Sequence, residues 1–350
     1  MKNFHIGPKI ISNSQPCYII AEIGLNHNGK EALAVKLVEE AVKAGADAVK
    51  FSRLDSYYKL LLKANNSDCS PEDNCVQGEQ FMNTYQKMEL TNEILLKVAN
   101  HCKKLKVDFL STPSDEAGVD FLVGMGVPTL KIASGDLTDD PFLCYVAKQQ
   151  LPVILSTGMS TMEEVHHAVA LLMEHGCPEL AILHCVSSFP APLSELNLKV
   201  IRTLAREFDL PIGFSDHSTG IEAAPVAVAS GAVIIEKLFT LDKELPGPGH
   251  AFSVDPHEMT QMIKVIREIE TIMGVEQKLP TEAELEFRKF GRRSIIAKET
   301  IEPGTVITET LLVMKRPGTG ISPRDLYKVL GKKAKTRIEA DTMISWEQLS

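Results

Sequence analysis

The sequence predicts an α/β protein: a (β/α)₈ barrel followed by a small, β-rich C-terminal domain. Three observations carry this. Short apolar runs rich in β-branched residues alternate with longer amphipathic segments; eight such strand-then-helix units can be counted; and the pattern breaks after Gly274. Strands alternating with helices imply a parallel sheet. Eight units in this length imply closure into a barrel. A doubly wound sheet is the other candidate, but no G-x-G-x-x-G follows any strand.

The strand-like runs are "CYIIAEIG" (17–24), "ADAVKFS" (46–52), "VDFLST" (107–112), "PTLKIAS" (128–134), "PVILST" (152–157), "LAILHCVS" (180–187), "PIGFSD" (211–216) and "AVIIEKLFT" (232–240). Amphipathic segments lie between and after them, among them 31–45, 161–176 and 255–274. Residues 55–90 are polar and do not fit the repeat; following strand two, they would stand on the C-terminal face of the barrel as a lid or rim. We place the barrel at 1–278 and a charged helical linker at 279–291. A module of short apolar pairs and turns such as "EPGT" and "RPGTG" then occupies 292–350.

The chain of 350 residues has 44% hydrophobic and 24% charged residues, an ordinary globular balance, and a formal net charge of −9. That charge argues against a nucleic-acid partner and leaves anionic small molecules to a local basic patch. Seven cysteines, an odd number with no C-x-x-C spacing, fit a reduced cytoplasmic protein better than a disulfide or zinc scaffold. The first twenty residues show no signal-peptide pattern, and no run of about 18 apolar residues predicts a membrane span.

Chemistry in such barrels sits at the C-terminal strand ends. Those ends read Glu22 and Asn26, Lys50, Thr112, Lys131 and Ser134, Ser156 and Thr157, His184 and Ser187, Ser215 with Asp216 and His217, and Glu236 with Lys237. Any one of these could be a solvated loop residue or half of an internal salt bridge. Three lysines, Lys50, Lys131 and Lys237, interrupt otherwise apolar strands, and a buried charge is costly unless paired. Their grouping points to a polyanion such as a phosphorylated carboxylic acid, with serine and threonine hydroxyls bonding the same phosphate. A buried lysine such as Lys131 could instead form a Schiff base. His217, in "GFSDHST", reads as a metal ligand, a general base or a helix-capping turn residue, with Asp216, Glu236 and His250 as neighbouring candidates.

These residues resemble the sialic acid synthase family, phosphoenolpyruvate-condensing barrels with a C-terminal antifreeze-like (SAF) domain. The resemblance covers nearly the whole chain through "AEIGLNHNG", "GADAVKF", "KIASGD", "STGMS", "LHCVSSFP", "GFSDHS", "EKLFTLDKELPG" and "RPGTGI". It implies condensation of phosphoenolpyruvate with an N-acetylhexosamine, typically N-acetylmannosamine, into a nine-carbon 2-keto acid sugar, with phosphate leaving by C–O cleavage. It further implies a divalent metal, Mn²⁺ or Mg²⁺, polarising the aldehyde, and a domain-swapped homodimer. By the resemblance, Lys50 and Lys131 bind phosphoenolpyruvate with Ser134, Ser156 and Ser187 nearby, and Glu22 contacts the sugar or transfers a proton. Glu236 is catalytic, Ser215 and Lys237 are substrate contacts, Arg316 reaches the sugar's acyl group from the other protomer, and His217 is a metal ligand.

The sequence departs from the family pattern at several positions. Leu238 replaces a second histidine ligand, which leaves His250 or Glu236 as substitutes; Gly249 replaces an acid, and Ser52 an amide. Phe189 lacks an expected hydroxyl, and Ser187 replaces an asparagine. The changes touch the metal and sugar side more than the phosphoenolpyruvate side. They leave open an altered acceptor leading to legionaminic or pseudaminic acid, or an impaired carbohydrate-binding relative.

Overall fold

The first described elements are a two-stranded antiparallel hairpin, β1 (Phe4–Ile6) and β2 (Lys9–Ile11), in a computed structural model that describes residues 3–53 and 88–350. Eight parallel strands follow: β3 (Tyr18–Gly24), β4 (Ala48–Ser52), β5 (Asp108–Thr112), β6 (Leu130–Ile132), β7 (Val153–Ser156), β8 (Leu180–Cys185), β9 (Ile212–Asp216) and β10 (Ile234–Leu238). They hydrogen-bond in the order β5-β4-β3-β10-β9-β8-β7-β6, and the two end strands, β5 and β6, pack side by side. This is the barrel that the sequence predicts, with each strand inside its expected run. The 55–90 segment expected to form a rim lies outside the described residues apart from 88–90.

Between the strands run α1 (Glu31–Ala44), α2 (Asn92–Leu105), α3 (Glu116–Met125), α4 (Asp140–Ala147), α5 (Met162–Glu174), α6 (Val200–Glu207) and α7 (Ala223–Ala229), and α8 (Pro256–Met273) follows β10. Their starts are written in the sequence. Thr161 and Glu164 form a reciprocal capping box at α5, and Asp255 with Glu258 forms another at α8, where Pro256 takes the first helical position.

Two cores divide the side chains of each strand by period two. The larger fills the layer between strands and helices, with Ile19, Ala21, Val49, Phe51, Leu130, Ile132, Leu155, Ile182, Phe214 and Ile235 meeting Leu37, Val38, Val98, Leu143, Ala168 and Ile266. The smaller takes the alternate strand residues Tyr18, Ile20, Ala48, Leu110, Ile154, Ala181, Leu183 and Ile234, which line the barrel interior, together with Phe4, Ile6 and Ile11 of the hairpin. The hairpin, which the sequence reading missed, therefore stops the N-terminal end of the barrel. It is pinned there by His5, whose backbone N–H donates to Glu179 Oε2 at 2.6 Å. Lys9 pairs with Asp108 at 3.1 Å, and Asp108 also accepts from the Tyr18 hydroxyl at 2.7 Å. With one end stopped, the interior positions at the opposite strand ends form the mouth.

The chain divides into two compact units, Met1–Gly274 and Val275–Ser350. The second opens with α9 (Glu282–Gly291), capped by Thr281 and Glu284. It continues with the antiparallel pair β11 (Ser294–Ala297) and β12 (Leu312–Lys315) and the short α10 (Leu326–Val329). Ile295, Ala297, Ile301, Ile307, Val329, Ile338 and Ile344 give it a core of its own. Among the described residues no helix is long and apolar enough to cross a membrane.

Candidate active site

Continuing the interior alternation one step past the small core leads from Ile20 to Glu22, from Ala48 to Lys50, from Leu110 to Thr112, from Ile154 to Ser156, from Leu183 to Cys185 and from Ile234 to Glu236. The apolar interior thus gives way to a polar layer within one strand step. All but the half-buried Thr112 are buried, so the charged ones among them must be paired.

Lys50 is the hub of one cluster. Its ammonium lies 2.5 Å from Glu22 Oε2 and 3.4 Å from Glu236 Oε2, and donates to Thr112 Oγ1 at 3.1 Å. Neither Oε2 has an aligned hydrogen-bond donor, so charge holds this triad more than directed bonding. Burial opposes the Lys50 ammonium, but Glu22 and Glu236 outweigh it and hold its pKa above the ordinary lysine value. The two carboxylates part company. Burial pushes Glu22 up, with Glu236 adding repulsion that Lys50 only partly offsets. Glu236 is buried too, yet Lys131, Lys50 and a 2.7 Å bond donated by Ser215 Oγ draw it well below the usual carboxylate range.

Lys131 anchors a second cluster. It donates to Ser156 Oγ at 2.6 Å and to the Ile132 carbonyl at 3.0 Å, and burial lowers its pKa. Around the turn after β7, the Gly158 N–H donates to Ser134 Oγ at 2.9 Å. A Cβ on Gly158 would lie 2.1 Å from Ser187 Oγ and 2.9 Å from Ser134 Oγ, so only glycine lets both hydroxyls close on this turn. One ammonium, three serine hydroxyls and a backbone turn form a cradle suited to a phosphate or carboxylate.

His217, just past β9, faces the same mouth. Its Nδ1–H donates to the Val186 carbonyl at 3.0 Å, and Nε2 lies 3.4 Å from Ser215 Oγ. Cys185 Sγ lies 3.8 Å from Nδ1. Burial opposes a thiolate there, but His217, Ser134 and Lys131 pull the Cys185 thiol below its ordinary value. The Phe189 ring, 56% exposed, stacks on the His217 imidazole at 4.2 Å and tilts against Phe252 at 6.1 Å. The sequence reading passed over Cys185; counting in twos from Ala181 would have found it.

Several expected residues lie elsewhere. Lys237 does not join Lys50 and Lys131. Glu236 faces inward, so its neighbour on the strand faces the helices, where Lys237 is fully buried, paired with Asp216 at 2.8 Å and donating to the Ser218 carbonyl at 2.6 Å. His184 likewise points outward, with Nε2 donating to the Leu196 carbonyl at 2.7 Å. His250 is buried with both ring nitrogens engaged, Nδ1 by Thr240 Oγ1 at 2.6 Å and Nε2 by Asn28 Oδ1 at 3.3 Å, so it offers no free donor to an ion. Arg316 belongs to the second unit, where its Nε donates to the Gly291 carbonyl at 3.0 Å.

The metal implied by the resemblance can be tested on the donors present. Among the described residues no three His, Cys, Asp or Glu side chains converge to hold an ion. Leu238, half-buried at an interior position opposite Glu22 in the ladder, supplies only carbon. Gly249 is also built in, since a Cβ there would lie 2.6 Å from Asn26 Oδ1 while Asn26 Nδ2 bridges the Phe239 carbonyl and Ser253 Oγ. The described side chains do not fit a protein-held divalent ion.

Comparison with known proteins agrees with this architecture. Residues 37–278 match the NeuB family and residues 292–350 match the SAF domain. The chain is 39% identical to the N,N'-diacetyllegionaminic acid synthase of Legionella pneumophila, over 98% of this chain and 97% of that protein. It is 31% identical to the N-acetylneuraminate-9-phosphate synthase of Homo sapiens, over 96% of this chain and 94% of that one. Among solved structures, the N-acetylneuraminic acid (sialic acid) synthetase of Leptospira borgpetersenii, in complex with citrate, superposes with a TM-score of 0.72 at 33% identity. That match covers 82% of this chain and 96% of the other.

Proposed function

The chain belongs to the NeuB family of sialic-type acid synthases, and from that premise we propose that it condenses phosphoenolpyruvate with an open-chain N-acetylated hexosamine to give a nine-carbon 2-keto sugar acid. The convergence of Lys50 and Lys131, with their hydroxyl partners, on one barrel mouth carries the reading. The Lys131 cradle suits one anionic group of phosphoenolpyruvate, and the Lys50 ammonium the other. The methylene carbon attacks the aldehyde carbon and forms the new C–C bond. The aldehyde oxygen takes a proton, water adds at the neighbouring carbon and loses a proton, and phosphate departs with C–O cleavage. Glu22, whose pKa burial raises, is placed to give the first proton; Glu236, drawn well below the usual carboxylate range by Lys131 and Lys50, is placed to take the second.

The resemblance alone suggests N-acetylmannosamine as acceptor. The greater identity to the diacetyllegionaminic acid synthase, 39% against 31%, favours a bacillosamine-type acceptor with two acetamido groups. We extend the reading to a cytoplasmic homodimer in which the small unit of one copy covers the barrel of the other and Arg316 contacts the acceptor's acyl group. An exposed α9, with Phe287 70% and Phe290 66% exposed, is the kind of surface such a dimer would cover.

Phosphate release from phosphoenolpyruvate, measured with each sugar and with none, tests the reaction. Release should require sugar and be faster with the diacetamido acceptor, giving a product of nine carbons by mass. Borohydride trapping of a lysine with pyruvate, and no release, would move the assignment to a Schiff-base aldolase. Gly158→Ala should raise the KM for phosphoenolpyruvate about 10- to 100-fold, the worth of one charge-assisted hydrogen bond. Adding Ser187→Gly, which makes room for the new methyl, should recover part of the loss. An unchanged KM in Gly158→Ala would place the anion elsewhere.

A further inference from the structure

We propose that this chain activates its acceptor aldehyde without a resident divalent ion, and that Leu238 is the residue that removes the ion. The proposal rests on the synthase reading above and concerns the same mouth. His217 is the only imidazole that the described residues turn into it. Its Nδ1–H is spent on the Val186 carbonyl, so a single nitrogen, Nε2, remains on the open side. β9 and β10 pair through Glu236 with Ser215 and Lys237 with Asp216. One step further on, Leu238 stands beside His217, where a second donor would complete a site.

Of the other groups within reach, Cys185 offers a soft sulfur ill matched to Mn²⁺ or Mg²⁺, and Ser215, Glu236 and His250 are engaged with partners. Ser215 donates to Glu236 Oε1 at 2.7 Å, and the Glu236 charge is balanced by Lys50, with Lys131 acting on it as well. His250 has both nitrogens engaged. The imidazole face is covered by Phe189, which leans on Phe252 in turn, and the oxygen near Nε2, Ser215 Oγ at 3.4 Å, donates its proton to Glu236. One imidazole nitrogen, with no second one beside it, is a weak claim on a hard divalent ion that prefers oxygen ligands. The charge that develops on the aldehyde oxygen then falls to the proton that Glu22 is placed to give, with the Lys50 ammonium 2.5 Å from that carboxyl group.

The test is Mn²⁺ binding by isothermal titration to the full chain, to His217→Ala and to Leu238→His, together with sugar-dependent phosphate release in EDTA and in Mn²⁺. Wild type and His217→Ala should bind Mn²⁺ equally weakly, and wild-type turnover should agree within about twofold between the two buffers. Leu238→His should bind Mn²⁺ at least about tenfold more tightly, since even a residue that only supports a ligand is worth about 10–100-fold in metal affinity. Stoichiometric Mn²⁺ on wild type that is lost in His217→Ala would overturn the proposal. So would a tenfold or greater loss of turnover in EDTA that Mn²⁺ restores. Absence of phosphate release in both buffers would count against the synthase reading, while the comparison of wild type with His217→Ala would still decide whether an ion is held. If Leu238→His fails to fold, that same comparison remains decisive.

Discussion

Lys50→Met is expected to lower sugar-dependent phosphate release by about 10²–10³-fold or more, the scale for removing one preorganised charge-stabilising donor from an active site. Methionine keeps the apolar stem, but the two carboxylates left buried without their cation should also lower the melting temperature. What disappears is the ammonium between Glu22 and Glu236, 2.5 Å from one carboxylate and 3.4 Å from the other. Two buried carboxylates then face each other with Lys131 as the remaining buried cation acting on both. Phosphoenolpyruvate loses a positive anchor and the acid–base division between the two glutamates blurs. Steady-state kinetics with a thermal melt separate this from unfolding. Turnover within about threefold of wild type in a folded Lys50→Met protein would show that the reaction occurs elsewhere than between these strands.

Lys237→Met should lose stability without losing phosphoenolpyruvate affinity. Removing one partner of a buried ion pair costs about 3–5 kcal/mol because the other charge stays buried and uncompensated. Asp216 would keep only the Ser218 backbone N–H and hydroxyl, at 2.9 and 2.6 Å. The midpoint of thermal unfolding should fall by on the order of 6–10 °C. Affinity for phosphoenolpyruvate, measured well below that midpoint, should hardly change, because Lys237 lies behind the barrel wall. A selective loss of phosphoenolpyruvate affinity at unchanged stability would return Lys237 to the substrate-binding role that the sequence suggests. The two lysines occupy equivalent places in the sequence pattern and differ only in which face of their strand they take.

That contrast marks the boundary of what the sequence by itself determined. The eight strands, the break after Gly274, and Glu22, Lys50, Lys131 and Glu236 at the mouth were legible because polar residues that interrupt apolar runs at strand ends are rare and costly. The direction of each side chain was decided by the tertiary structure. A barrel strand is buried on both faces, so its sequence is a continuous apolar run with no polar side to mark the outside. Period two therefore has no visible phase until the helices and the N-terminal hairpin declare which residues they pack against. That packing turned Lys237 and His184 outward, brought Cys185 against His217, and set Leu238 at the interior position opposite Glu22. His250 was decided in the same way: its partners, Asn28 and Thr240, come from different strand ends, and only closure of the barrel brings the first of them across 222 positions of sequence to engage it.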